Sequence, residues 1–151
     1  MITVNYPEPV FRFKEESGKS FIFDSIRRQW ILLTEEEWVR QNFINYMVQV
    51  LKYPLALIAV EKEIYLGELR KRFDILVYDN KHQPWLLAEC KAPLVRLDQP
   101  VLDQVLRYGI TIPAKFLLIT NGNTTFGWNK AGNNLEMFGQ LPEWEAGLDT
   151  G

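Results

Sequence analysis

Short apolar runs broken by turn residues fill positions 1–33. "VFRF" (10–13), "SFIF" (20–23) and "QWILL" (29–33) favour β structure, and "EESGKS" supplies a turn between the first two. Thr34 then suits a helix N-cap. Glu35, Glu36 and Glu37 follow in the first turn, where the helix dipole favours anions. Val39, Phe43, Tyr46, Met47 and Val50 recur at helical spacing, which predicts a helix to about Lys52, closed by Pro54.

Three strand patterns come next: "LALIAVEKEIYL" (55–66), "RFDILVYD" (72–79) and "PWLLAECKA" (84–92), with the polar turn "DNKHQP" before the last. A second helix is predicted from Gln99–Pro100, where Pro suits the first helical position, to Gly109 as a C-cap. "KFLLIT" reads as a strand, "NGN" as a turn, "TTFGW" as a hairpin partner and "LEMF" as a short edge strand. A strand, a helix and a further strand in succession imply a right-handed parallel crossover within a mixed sheet. The pattern predicts one α/β domain over 1–138, with an N-terminal β extension over about 1–33 and a mobile tail over 139–151.

A length of 151 residues suits a single domain with a real core, and 47% hydrophobic with 24% charged residues is ordinary for a soluble globular protein. The net charge of −2 does not announce nucleic-acid binding, so any basic footprint has to be local. One cysteine excludes an internal disulfide framework. With no apolar segment behind a basic start, and none long enough to span a bilayer, the expectation is a cytoplasmic protein without a membrane anchor.

Asp74, Glu89 and Lys91 stand out because they lie among apolar strand residues, where charge is costly unless paired or bound to metal. Alternation groups Arg72, Asp74, Leu76 and Tyr78 on one face, and Leu87, Glu89 and Lys91 on one face of the next strand. A hairpin would set Asp74 beside Glu89 with Lys91 beyond. Two facing carboxylates repel, and a hard cation such as Mg²⁺ removes the repulsion. Such an ion polarises a phosphate and activates water, with Lys91 to orient the water or stabilise developing charge. The plainer alternative is a solvent-facing surface on which the carboxylates pair with Lys91 or Arg72.

Gln104 and Tyr108, four apart, share a helix face with Val101 and Val105. Gln104 can hydrogen-bond a carboxylate or a phosphate. Glu36 falls within the apolar stripe of the first helix, while Glu37 is read as pointing away. Glu36 either pairs with Arg40 or joins Asp74 and Glu89 as a metal ligand, and Glu61 and Glu63 are weaker candidates. His82 and Cys90 are read as an exposed turn residue and an inert buried thiol, while Lys71, Arg72 and Lys81 are read as solvated. Arg70–Arg72 could alternatively form a small phosphate patch.

Asp74, Glu89-Cys90-Lys91 and Gln104-Val105-Leu106-Arg107-Tyr108 together resemble the PD-(D/E)xK nuclease superfamily, and more narrowly the N-terminal nuclease domain of type I restriction enzyme R (motor) subunits. "LTEEEWVRQNFI", "RFDILVYD", "ECKAP" and "LLITNG" carry the same similarity, over about residues 20–128. The resemblance implies a restriction-endonuclease-like fold and DNA cleavage dependent on Mg²⁺ (or Mn²⁺). Asp74 and Glu89 would be the ligands, Lys91 the catalytic lysine, and Gln104 and Tyr108 would support the site or touch DNA. No G-x-x-x-x-G-K-[ST] loop is present. The expectation is therefore a stand-alone or partner-dependent relative, the partner supplying motor or target recognition. A non-catalytic nucleic-acid-binding or protein-interaction module on the same fold is the alternative.

Overall fold

The computed structural model describes residues 1–132 and 134–144. Strands β1 (Phe13–Glu16), β2 (Lys19–Asp24) and β3 (Gln29–Leu32) form a three-stranded antiparallel sheet of their own. Helix α1 (Glu35–Gln49) follows, capped as its sequence predicts: the Thr34 hydroxyl accepts from the Glu37 N–H at 3.0 Å. The helix ends before Lys52, and Val50, expected on its apolar stripe, is 47% exposed. Val39, Phe43 and Met47 do form the buried stripe.

A 3₁₀ turn at Leu55–Leu57 leads into β4 (Ile58–Leu66), β5 (Leu69–Tyr78) and β6 (Pro84–Cys90). Helix α2 (Gln99–Gly109) then crosses to β7 (Phe116–Thr120), followed by β8 (Thr125–Ala131) and β9 (Asn134–Phe138). The strands run β4-β5-β6-β7-β8-β9 in one sheet. Only the β6–β7 pair, which α2 connects, is parallel. The architecture is the α/β arrangement expected, a mixed sheet flanked by helices.

Each helix covers one face of that sheet. Val39, Phe43 and Met47 of α1 pack with Ile75, Val77, Leu86, Ala88 and Cys90. Leu102 and Val105 of α2 pack with Phe73, Leu76, Leu87, Leu117 and Ile119. Gly109 is not a left-handed cap but the last helical residue, where a Cβ would lie 2.2 Å from Leu117 Cδ2. Its role is to let α2 approach the sheet.

Two further expectations change. Leu141 and Trp144, assigned to a mobile tail, are buried in the α1-side core, and the Tyr53 hydroxyl donates to the Pro142 carbonyl. The aromatic side chains make that segment part of the body, while 145–151 lie outside the described residues.

The strict alternation assigned to "RFDILVYD" also breaks. Val60 pairs with Ile75 and both join the α1-side core. Two residues on, Lys62 pairs with Phe73, which joins the α2-side core. The ladder skips Glu61 and Asp74 between them, and Glu61 has a φ of 54°, unfavourable for a residue with a Cβ. The sheet surface turns over at this point.

Candidate active site

Asp74 sits at that break. Its Oδ1 accepts from Arg40 Nη2 at 2.8 Å and its Oδ2 from the Cys90 backbone N–H at 2.7 Å. The side chain is thus tied both to α1 and to β6.

Arg40 is buried and carries the middle of a chain of alternating charges. Its Nη1 donates to Glu37 Oε1 at 2.6 Å, and the same oxygen accepts from Arg27 Nη2 at 2.9 Å. Arg27 in turn binds Asp24, whose Oδ1 also accepts from the Ile26 and Arg27 N–H groups. Gln41 Nε2 donates to the second Glu37 oxygen at 3.1 Å. Burying three charged residues, Asp24, Glu37 and Arg40, is sustainable because each has oppositely charged neighbours.

The helix-face assignment is therefore corrected. Glu37, read as pointing away, is the buried glutamate, held by two arginines, and Glu36 is exposed. Glu36 lies 3.5 Å from Arg40 Nη2, and Glu61 lies 3.5 Å from each of Arg27 and Arg40. Burial and then the charge of Asp74 push the Glu36 carboxyl above its ordinary range, so Glu36 does feel Asp74.

Toward the α2 side of the sheet, next to this break, Glu89, Lys91, Gln104 and Tyr108 line one small cavity of about 30 Å³, together with Lys71 and Phe73. Glu89 Oε1 is buried there without a hydrogen-bond partner. Burial first, and the charge of Asp74 second, push the Glu89 carboxyl up to about 7, against the pull of Lys71 and Lys91. Lys91 is anchored by its backbone N–H to Thr120 O at 2.8 Å, which fixes where its stem leaves β6. Lys71, read as solvated, instead lies over the Tyr108 ring at 4.7 Å. The turnover at Asp74 brings Lys71 and Phe73 to the α2 side, and local alternation carries no sign of it.

Residues 35–142 match the family described as type I restriction enzyme R protein N terminus (HSDR_N). The chain belongs to this family. Its matched span runs from α1 past β9 and includes Glu36, Arg40, Asp74, Glu89, Lys91, Gln104 and Tyr108, but not β1–β3. No curated protein matches the chain by sequence. Among solved structures, a DUF820 protein from Anabaena variabilis ATCC 29413, described as a candidate nuclease, is similar at a TM-score of 0.51 with 12% identity, over 90% of this chain and 88% of that one. At that identity the likeness speaks for the fold. Family and fold together are those of a PD-(D/E)xK-like nuclease domain.

Arg40, Glu37 and Lys71 stand in the candidate site although the motif pattern does not mark them: from the sequence Arg40 reads only as a partner of Glu36, Glu37 as pointing away and Lys71 as solvated. Arg40 had a usable signal, because a cation beside an apolar helical stripe needs a buried acid. Among the described residues no group of three or more His, Cys, Asp or Glu gathers tightly enough to hold a metal. Two carboxylates with water and phosphate can nevertheless suffice for Mg²⁺. The orphaned Glu89 oxygen is the kind of atom that such an ion would satisfy. No helix among the described residues is long and apolar enough to cross a membrane.

Proposed function

We propose that this domain hydrolyses phosphodiester bonds in DNA with Mg²⁺ (or Mn²⁺), held by Asp74 and Glu89; Glu36, expected as a further ligand, is drawn to Arg40 instead. The observation that carries the reading is Glu89: a buried, unpartnered carboxylate oxygen whose ionised form is disfavoured, facing a cavity shared with Lys91 and Gln104. A folded protein tolerates such a group where function needs it. A bound divalent cation there would polarise a phosphate oxygen and lower the pKa of water.

The protein's own groups do the rest. The Lys91 ammonium orients the attacking water or stabilises the charge that develops on the phosphate. The Gln104 amide, exposed on α2, donates to a phosphate oxygen or to a ligand carboxylate, and Tyr108 closes the cavity wall. Motor or target-recognition functions would come from a partner.

A second reading has its own observation. Both Asp74 oxygens already have partners in Arg40 and the Cys90 N–H, so this carboxylate is satisfied without a metal. That suits a binding module on a nuclease fold.

Cleavage of supercoiled plasmid, linear duplex, single-stranded and branched DNA with Mg²⁺ and then Mn²⁺ separates the two. Cutting by the wild type that vanishes in Lys91→Ala supports the nuclease. No cutting, together with no metal bound in calorimetry, overturns it in favour of the binding module. Metal bound without cutting points to an absent partner.

A further inference from the structure

The β1–β3 sheet lies outside the stretch that matches the family and pairs with no strand of the main sheet. Its two faces are unlike. Phe13, Ile22 and Ile31 form a cross-strand row on the inner face, where Ile22 is fully buried and Phe13 meets the Trp38 ring. On the outer face Lys14, Phe21 and Leu32 form one row. Phe23 and Trp30 form the next, which Arg12 completes by accepting the Phe23 N–H at its carbonyl.

Cations and rings interleave on that outer face. The Arg12 guanidinium lies 4.8 Å from the Phe23 ring centre and 5.5 Å from Trp30. The Lys14 ammonium lies 5.0 Å from Trp30 and 5.6 Å from Phe21. All three rings are half-exposed, Lys19 stands exposed in line with them, and the acid on this face, Glu16, is paired with Lys14. In a chain of net charge −2 this is a local positive, aromatic surface.

Rings that accept stacked bases, set among cations that meet phosphates, are the chemistry a single strand of nucleic acid requires. We propose that the outer face of β1–β3 binds single-stranded DNA, with bases against Trp30, Phe21 and Phe23 and phosphates against Arg12, Lys14 and Lys19. The choice of DNA rests on the proposed nuclease function. Leu32, at the end of the first row, also lines a cleft of about 610 Å³ shared with Glu36, Arg40 and Glu61. A strand seated on the sheet would run on to this cleft, whose Arg40 holds Asp74. That cleft is rich in carboxylates and repels phosphate, so the sheet supplies the attraction that the site's approach lacks. The Asp24–Arg27–Glu37–Arg40 charge chain holds the sheet in register with the site.

The test is fluorescence anisotropy of labelled oligo(dT) with the full chain at low salt in EDTA, where neither metal nor cleavage contributes. Wild type and Lys81→Ala, which removes an exposed cation of the β5–β6 turn, should bind alike. Trp30→Ala should bind about tenfold more weakly. Arg12→Glu with Lys14→Glu, which alters surface charge without removing a core side chain, should bind weaker still and with a shallower salt dependence. Thermal melts confirm that each variant is folded. No binding by the wild type, or equal binding by all variants, overturns the proposal. So does tighter binding of oligo(rU), or self-association that Trp30→Ala abolishes without any oligonucleotide bound. Binding that survives while neither cleavage nor bound metal is found would remove the nuclease reading and leave this one standing.

Discussion

Arg40 and Asp74, 34 residues apart in sequence, are joined by a hydrogen bond of 2.8 Å from guanidinium to carboxylate. Each comes from a different element. The pair places a buried cation beside the carboxylate that the sequence motif assigns to metal, and the same guanidinium satisfies Glu37.

Replacing Arg40 with Met should therefore leave Asp74 and Glu37 without their shared counter-charge and cost about 3–5 kcal/mol, measured by urea denaturation. Mg²⁺ should restore part of that loss, because a second cation can meet Asp74. An unaltered midpoint with Mg²⁺ would count against Asp74 as a metal ligand.

Glu89 gives a pH signature in metal-free buffer. Its carboxyl is raised from an ordinary 4.5 to about 7 on folding, so the folded chain binds this proton more tightly than the unfolded chain. Below the unfolded value both states hold the proton and nothing is lost. As pH rises from there toward the folded value, stability falls, and above it the penalty is constant. Glu89→Gln removes the penalty. It should stabilise the protein by about 1–2 kcal/mol near pH 8, with the remaining solvent access of a half-buried group limiting the gain, and by almost nothing near pH 4. Equal stabilisation at both values would show that no ionised Glu89 is being penalised.

Lys71 shares the cavity with Glu89 and favours its ionised form. Lys71→Ala should raise the Glu89 carboxyl further and lower cleavage several-fold at neutral pH, with recovery as the buffer becomes more alkaline. Lys91→Ala should show no such recovery, since in the proposed reaction its ammonium acts on the water or phosphate itself. Identical pH profiles for the two variants would contradict this division of roles.

Gly109→Ala tests how closely α2 must approach the sheet. The added methyl would meet Leu117, a side chain 1% exposed with little room to yield. Overpacking of this kind should cost about 1–3 kcal/mol in a denaturant melt. A neutral substitution would mean that α2 can shift, and Gln104 and Tyr108 with it.

What the sequence determined by itself is local. Thr34 capping α1, the Gln99–Gly109 helix, the strand patterns and the parallel crossover follow from propensity, periodicity and turn chemistry, all of which act over a few residues. Glu89 on its strand and the Gln104–Tyr108 helix face were legible for the same reason, although β6 ends at Cys90, just before Lys91; that they line one cavity is seen only in the structure. Tertiary structure decided the rest. Alternation put Asp74 on a face with Leu76, but the left-handed Glu61 turns the sheet over opposite it, which sends Lys71 to Glu89 and presents Asp74 to Arg40. Helical spacing marked Glu36, yet the arginines that bury Glu37 approach partly from a different sheet, at Arg27. Leu141 and Trp144 sit in a polar stretch and find their burial in the α1-side core, where Trp144 meets Tyr53 and Trp85, residues distant in sequence. Which charge meets which, and which face a strand residue keeps, depend on contacts between distant elements, and local periodicity carries no record of those.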